Sequence, residues 1–90
     1  MNDSKANPPG HDKTVTLIVN TVPKEWTEKK ISYEQAVILA FGSYSSNPKI
    51  TYTVEYFKGP NDKHEGSLTK GESVPVKDQM VFNVTETDQS

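Results

Sequence analysis

Residues 32–42 read SYEQAVILAFG, and residues 50–57 read ITYTVEYF. The first stretch places apolar side chains at helical spacing, at Tyr33, Ala36, Val37, Ala40 and Phe41. Ser32 with Gln35 three residues later forms the pattern of a capping box, and Gly42 is a typical C-cap. The spacing therefore predicts one amphipathic helix between Ser32 and Gly42.

The second stretch alternates apolar and polar residues along its length. Ile50, Tyr52, Val54 and Tyr56 fall on one face, which predicts a strand with one buried side. Residues 43–49 (SYSSNPK), between the helix and this strand, are rich in turn-forming residues and predict a loop.

Two apolar strands open and close the folded region. They are predicted at residues 14–20 (TVTLIVN) and 80–85 (MVFNVT). A more polar strand is predicted at 25–31, after a break at 21–24, and would form an antiparallel hairpin with the first strand. Residues 67–69 predict a very short strand between two turn-rich segments.

The order of elements limits the architecture. One amphipathic helix and one sheet must each cover an apolar face, so the simplest arrangement lays the helix across the sheet. We therefore predict an α+β fold, with one helix packed on a mixed sheet of four to five strands. The most apolar strands, the first and the last long ones, are expected at its centre. This is the β-grasp architecture of ubiquitin.

Composition divides the chain into an arm, a body and a tail. Ninety residues support a single small domain. Residues 1–13, which include Pro8-Pro9-Gly10, are too polar to offset their ordering entropy, so we predict a disordered N-terminal arm. The β-grasp domain is predicted at 14–85. Residues 86–90 are polar and predict a flexible C-terminal tail.

Composition also excludes several functions. The chain has no Cys, which rules out disulfides, cysteine-ligated zinc or iron–sulfur sites and thiol nucleophiles. It has no Arg, and its net charge is −2, which argues against nucleic-acid binding. The longest apolar run, 36–41, is far shorter than the roughly 20 residues that span a membrane. With a polar N-terminus, these features predict a cytoplasmic protein without a membrane segment.

No catalytic or metal site is predicted. The two histidines, His11 and His64, lie in polar segments and are interpreted as solvated. Residues 66–73 (GSLTKGES) approach a phosphate-binding loop, but Glu72 stands where that motif requires Lys. Without a cluster of convergent acids or histidines, we expect neither enzyme activity nor a cofactor.

Several stretches together resemble a known family. They are VTLIVN at 15–20, ISYEQAV at 31–37, YTVEY at 52–56, GSLTKGE at 66–72 and MVFNVTET at 80–87. In order and spacing these resemble the multiubiquitin domain family of bacterial ubiquitin-like proteins. The resemblance covers about residues 13–90.

The resemblance implies a protein modifier that is itself no enzyme. In such systems ATP activates the carboxyl terminus of the modifier, which then passes to a nucleophile on a target protein. The implied partners are an E1-like activating enzyme, an E2-like protein, a processing peptidase and the target. The modifier is expected to be monomeric.

The C-terminal residues Thr87, Asp88, Gln89 and Ser90 are the candidate conjugation and processing tail. Most β-grasp modifiers and sulfur carriers end in Gly-Gly, whereas no glycine follows Gly71 in this chain. Either a peptidase trims the tail, with Asp88 as the expected new terminus, or the partner enzymes accept a terminus without glycine. We hypothesise trimming.

A partner-binding surface is the second candidate site. Ile18 and Val81, with Phe57, would form an apolar patch on the outer sheet face if the strand register is as predicted. Trp26 would be a partner anchor or would cover the end of the small core. These features leave three functions: a covalent modifier, a non-covalent interaction module, and a sulfur carrier, which the missing Gly-Gly disfavours most.

Overall fold

The computed structural model of the protein describes residues 14–60 and 64–88. The predicted disordered arm at 1–13 lies outside these ranges, as do Gln89 and Ser90. The described residues form one helix and seven strands. The elements are β1 Val15–Val19, β2 Val22–Trp26, β3 Lys30–Ser32, α1 Tyr33–Phe41, β4 Ile50–Phe57, β5 Gly66–Leu68, β6 Ser73–Pro75 and β7 Met80–Asp88.

Five strands form a mixed sheet in the order β2-β1-β7-β4-β5. β1 and β7 run parallel at its centre, and the other neighbouring strands pair antiparallel. β3 and β6 form a separate antiparallel pair. Helix α1 packs on the inner face of the large sheet, so the predicted α+β fold with its first and last long strands at the centre is confirmed.

The core lies between α1 and the inner face of the sheet. In β4 the inward residues Tyr52, Val54 and Tyr56 are buried, and the residues between them are exposed. Strand β7 shows the same alternation at its start, with Met80, Phe82 and Val84 buried. The large side chains with less than 2 % exposure are Phe82, Leu17, Ile31, Met80, Val19, Val37 and Val54.

The helix termini form as the sequence predicts. The Gln35 backbone N–H donates to Ser32 Oγ at 3.1 Å, and the Ser32 N–H donates to Gln35 Oε1 at 2.9 Å. Gly42 ends the helix at φ 85°, in the left-handed region, and its N–H donates to the Ile38 carbonyl at 2.7 Å. These bonds give hydrogen-bond partners to terminal backbone groups that would otherwise bond only to water at the ends of this nine-residue helix.

Replacing Ser32 with alanine should therefore destabilise the fold. We expect a loss of about 1 kcal/mol in the free energy of unfolding, because the Gln35 N–H loses its acceptor at the helix start. Urea denaturation of the Ser32→Ala variant measures this loss. Ser43→Ala, in the exposed segment after the helix, is the control. Equal midpoints for the two variants would show that the capping box contributes nothing.

The predicted second strand at 25–31 is wrong in its limits. β2 begins at Val22, directly after a two-residue turn in which Asn20 and Thr21 have φ values of 51° and 68°. Pro23 suggested a break, but β2 is an edge strand, where the missing proline N–H costs no ladder bond. The end of the predicted run belongs to β3, which pairs with β6 instead of β1.

The last strand is longer than predicted. β7 runs to Asp88, and its final residues Glu86, Thr87 and Asp88 lie opposite Tyr52, Thr51 and Ile50 of β4. The predicted end of the strand at Thr85 is therefore wrong. The cause is β4, whose full length offers backbone pairing even where β7 carries no apolar side chain.

Candidate functional site

An apolar row crosses the outer face of the large sheet. Ile18 lies opposite Pro23 of β2 on one side and opposite Val81 of β7 on the other. Val81 in turn lies opposite Phe57 of β4. We call Pro23, Ile18, Val81 and Phe57 the outer row. With strands about 4.8 Å apart, the row spans roughly 14 Å.

The outer row is accessible and has polar neighbours on the same face. Phe57 is 36 % exposed, Pro23 is exposed, and Ile18 and Val81 are half-buried. The neighbouring outward positions on β4 and β7 are polar: Thr51, Thr53, Glu55, Asn83, Thr85 and Thr87. A small apolar centre with a polar surround is typical of a protein-binding surface. The structure thus brings together the predicted residues Ile18, Val81 and Phe57.

Trp26 lies elsewhere. It pairs with Val15 on the side of the sheet opposite to the outer row, and it packs partly buried against the core. Its indole N–H donates to the Lys30 carbonyl at 3.0 Å. Trp26 is therefore part of the packing at one end of the core and does not join the outer row.

The C-terminal strand carries the other candidate residues. Thr85, Glu86, Thr87 and Asp88 are all exposed. The pairing of β1 with β7 extends from Met80 to Phe82 and ends there, whereas β4 pairs with β7 as far as Asp88. The end of β7 thus projects beyond the centre of the sheet with β4 on one side. Of the predicted tail, Thr87 and Asp88 belong to this strand.

Asn20 is a residue of this site that sequence reasoning missed. Its backbone N–H donates to the Phe82 carbonyl at 2.9 Å. Its side-chain amide donates to the Val84 carbonyl at 3.0 Å and accepts from the Val84 N–H at 2.8 Å. The Asn20 side chain thereby occupies the backbone groups of Val84 on the side where the pairing of β7 with β1 has ended. An Asn at a strand end signals a turn, but nothing in the sequence indicates a partner 64 positions away.

Aromatic side chains cover the start of β4 on the inner side. Tyr44 and Tyr52 have ring centroids 5.3 Å apart, and Tyr33 and Tyr44 are 6.0 Å apart. The Tyr33 hydroxyl donates to the Tyr52 carbonyl at 3.0 Å, and Tyr52 Oη accepts from the Ser45 N–H at 3.0 Å. Burial raises the pKa of the Tyr33 phenol above its ordinary value. These contacts indicate that the aromatic cluster has a structural role, because it joins α1 and the segment after it to β4.

Stability should therefore fall in alkali through Tyr33. Because the folded protein holds this phenolic proton more tightly than the unfolded chain does, stability is lost as pH rises above about 10. The advantage of the natural protein over Tyr33→Phe should be about 1 kcal/mol at neutral pH and should shrink in alkali. Urea midpoints at about pH 7, 9 and 10.5 measure it. A constant difference across that range would contradict burial of the ionising group.

The segment that approaches a phosphate-binding loop in sequence does not have the shape of one. Residues 66–75 form strand, turn and strand, with Gly71 at φ 85°, and no helix follows as a phosphate-binding loop requires. Within 14–60 and 64–88, no group of three or more His, Asp or Glu side chains could hold a metal ion. No helix in the same ranges has the length and apolarity needed to cross a membrane.

One helix across a mixed five-stranded sheet, with parallel first and last strands at its centre, defines a ubiquitin-like β-grasp domain. The family model described as Multiubiquitin matches residues 15–88, and the chain belongs to this family. Neither the curated proteins nor the solved structures include a significant match to the chain.

Proposed function

We propose that this protein is a ubiquitin-like modifier. Its carboxyl terminus, produced by trimming within Thr87–Ser90, is activated by an E1-like enzyme and passed through an E2-like protein to a target. The observation that carries the proposal is the Multiubiquitin match, which extends over residues 15–88. Conjugation, the partner enzymes and a bacterial setting are what the resemblance implies, and a cytoplasmic location is what the composition of the chain predicts.

The chemistry requires little of the modifier beyond an accessible carboxylate. A carboxylate is a poor acyl donor, so ATP must first convert it to an activated acyl group. A nucleophile on the E1-like or E2-like protein, and finally on the target, then displaces the leaving group. The position of β7 supports this role, because its last residues are exposed and lie at the end of the sheet.

The peptidase in this scheme supplies the mature terminus. No glycine follows Gly71, so a Gly-Gly terminus is not present in the sequence. Cleavage after Asp88 would leave a carboxylate beside an acidic side chain. The activating enzyme would therefore need basic groups or backbone N–H donors at its entrance.

A non-covalent interaction module is the second candidate function. The outer row favours it, since a binding module needs an accessible apolar surface and no free carboxyl terminus. A sulfur carrier, which requires a terminal thiocarboxylate, is the third. No structural feature of the described residues favours that third function.

Intact-mass spectrometry tests the proposal. The protein is co-expressed with an E1-like enzyme, an E2-like protein and a peptidase of this type of system. We expect the loss of two or more C-terminal residues and the appearance of heavier adducts on other proteins. An unchanged mass near 10.0 kDa without adducts, in the presence of active partners, would favour the interaction module.

A further inference from the structure

The two halves of β7 are held in the sheet differently. The N–H and C=O of Val84 both bond to the Asn20 amide, so these groups point away from β4. In an extended strand the backbone groups alternate, so those of Glu86 and Asp88 also point away from β4. Of the residues that follow Val84 in β7, only Thr85 and Thr87 then direct their N–H and C=O groups toward β4, opposite Thr53 and Thr51.

The last three residues of β7 are consequently weakly held. Glu86, Thr87 and Asp88 are exposed, whereas Met80, Phe82 and Val84 in the same strand are buried. Beyond Thr85, only the hydrogen-bonded pair of Thr87 and Thr51 joins the two strands. A segment with few buried apolar contacts and exposed backbone bonds opens at far lower cost than the core does.

Use of the carboxyl terminus requires a single extended chain. A carboxylate at Asp88 would lie directly opposite Ile50, with β4 about 4.8 Å away across the sheet, in the hydrogen-bonding direction. A cleft that admits one strand does not admit this two-stranded ribbon. Release of residues 86–88 would supply roughly 10 Å of single chain, at about 3.3 Å per residue.

We propose that Asn20 anchors β7 at Val84 and that residues 86–88 leave β4 when the carboxyl terminus is processed and transferred. This inference rests on the proposed modifier function. Asn20 is a positioning residue in this scheme, because its amide fixes where the stable strand ends and the releasable segment begins. Paired with β4, the segment is withheld from peptidases, which cleave locally unfolded chain.

Amide hydrogen exchange tests the release without any partner enzyme. We expect the Thr87 N–H to exchange at least about tenfold faster than the N–H of Thr85 and Asn83. In Asn20→Gly the backbone can keep its positive φ while the amide is lost. Exchange at Val84 should then become about tenfold faster. Thr21→Gly, at the adjacent turn position, is the control and should leave Val84 unchanged. Equal protection at Thr87 and Thr85 would overturn the proposal.

A reversible lock tests the role of the release. The chain has no Cys, so Thr51→Cys/Thr87→Cys introduces the only two thiols, opposite each other on exposed positions. Trimming and conjugation should be at least tenfold lower in the oxidised form than in the reduced form of this same variant. The control is Thr53→Cys/Thr85→Cys, which places a disulfide at the preceding hydrogen-bonded pair of the same two strands. Its oxidation should leave trimming and conjugation unchanged. A pair at 51 and 87 that does not oxidise would contradict the strand pairing on which the proposal rests.

The outcomes separate this inference from the proposed function. If the natural protein yields no trimmed form and no adducts with active partners, the modifier function fails, whatever the exchange rates show. If the natural protein and oxidised Thr51→Cys/Thr87→Cys are processed equally well, the modifier function stands and the proposed release of residues 86–88 is wrong.

Discussion

Replacing Phe82 with alanine is expected to remove most of the free energy of unfolding of this protein. Phe82 is fully buried on the central strand, between Val19 of β1 and Tyr56 of β4, and its ring centroid is 6.3 Å from that of Tyr56. Such a truncation costs about 3–5 kcal/mol through lost burial and the remaining cavity. A domain of this size has a total stability near the low end of about 5–15 kcal/mol.

Val81→Ala is the matched control for this substitution. Val81 is the neighbouring residue on the same strand but faces the outer side of the sheet and is half-buried. We expect it to cost about 1 kcal/mol or less. Urea denaturation, followed by the fluorescence of the single tryptophan, Trp26, measures both variants. Similar losses would contradict the register of β7, because a slip of one residue would exchange the two faces.

The parts of the fold that sequence predicts well are those in which apolar burial repeats with a regular period. In β4 the alternation of Tyr52, Val54 and Tyr56 with polar residues fixes both the element and its inner face. In α1 the burial of Tyr33, Ala36 and Val37 follows helical spacing. The same logic predicted that Ile18 and Val81 share the outer face, and the structure pairs them directly.

The parts that sequence missed lack such a pattern. β3 and β6 have three residues each, with one buried side chain apiece at Ile31 and Val74, which is too short for a period to appear. The end of β7 is paired through its backbone, and the exposed side chains of Glu86 and Thr87 carry no signal of it. The bond between Asn20 and Val84 joins distant positions, so only the folded chain brings the two together.

Removing Thr87–Ser90 is expected to abolish conjugation while leaving the fold intact. The deleted part of β7, Thr87 and Asp88, is exposed and contributes the pairing with Thr51 and Ile50 at the end of the sheet. We therefore expect the free energy of unfolding to fall by less than about 1 kcal/mol. If the protein is a modifier, the deletion removes the segment that is trimmed and activated, so conjugation should stop although the domain stays folded. Intact-mass analysis should then show no adducts, even with all partner enzymes present.

The double variant Ile18→Ala/Phe57→Ala distinguishes this outcome from that of a binding module. It removes apolar surface from the outer row, which lies on the opposite side of the sheet from the core. If the protein acts by non-covalent binding, partner affinity should fall at least about tenfold in this variant, since the apolar centre of an interface carries most of its energy. The variant truncated after Glu86 should then bind normally. Loss of function on truncation, with a folded domain and an intact outer row, points instead to the carboxyl terminus as the reacting group.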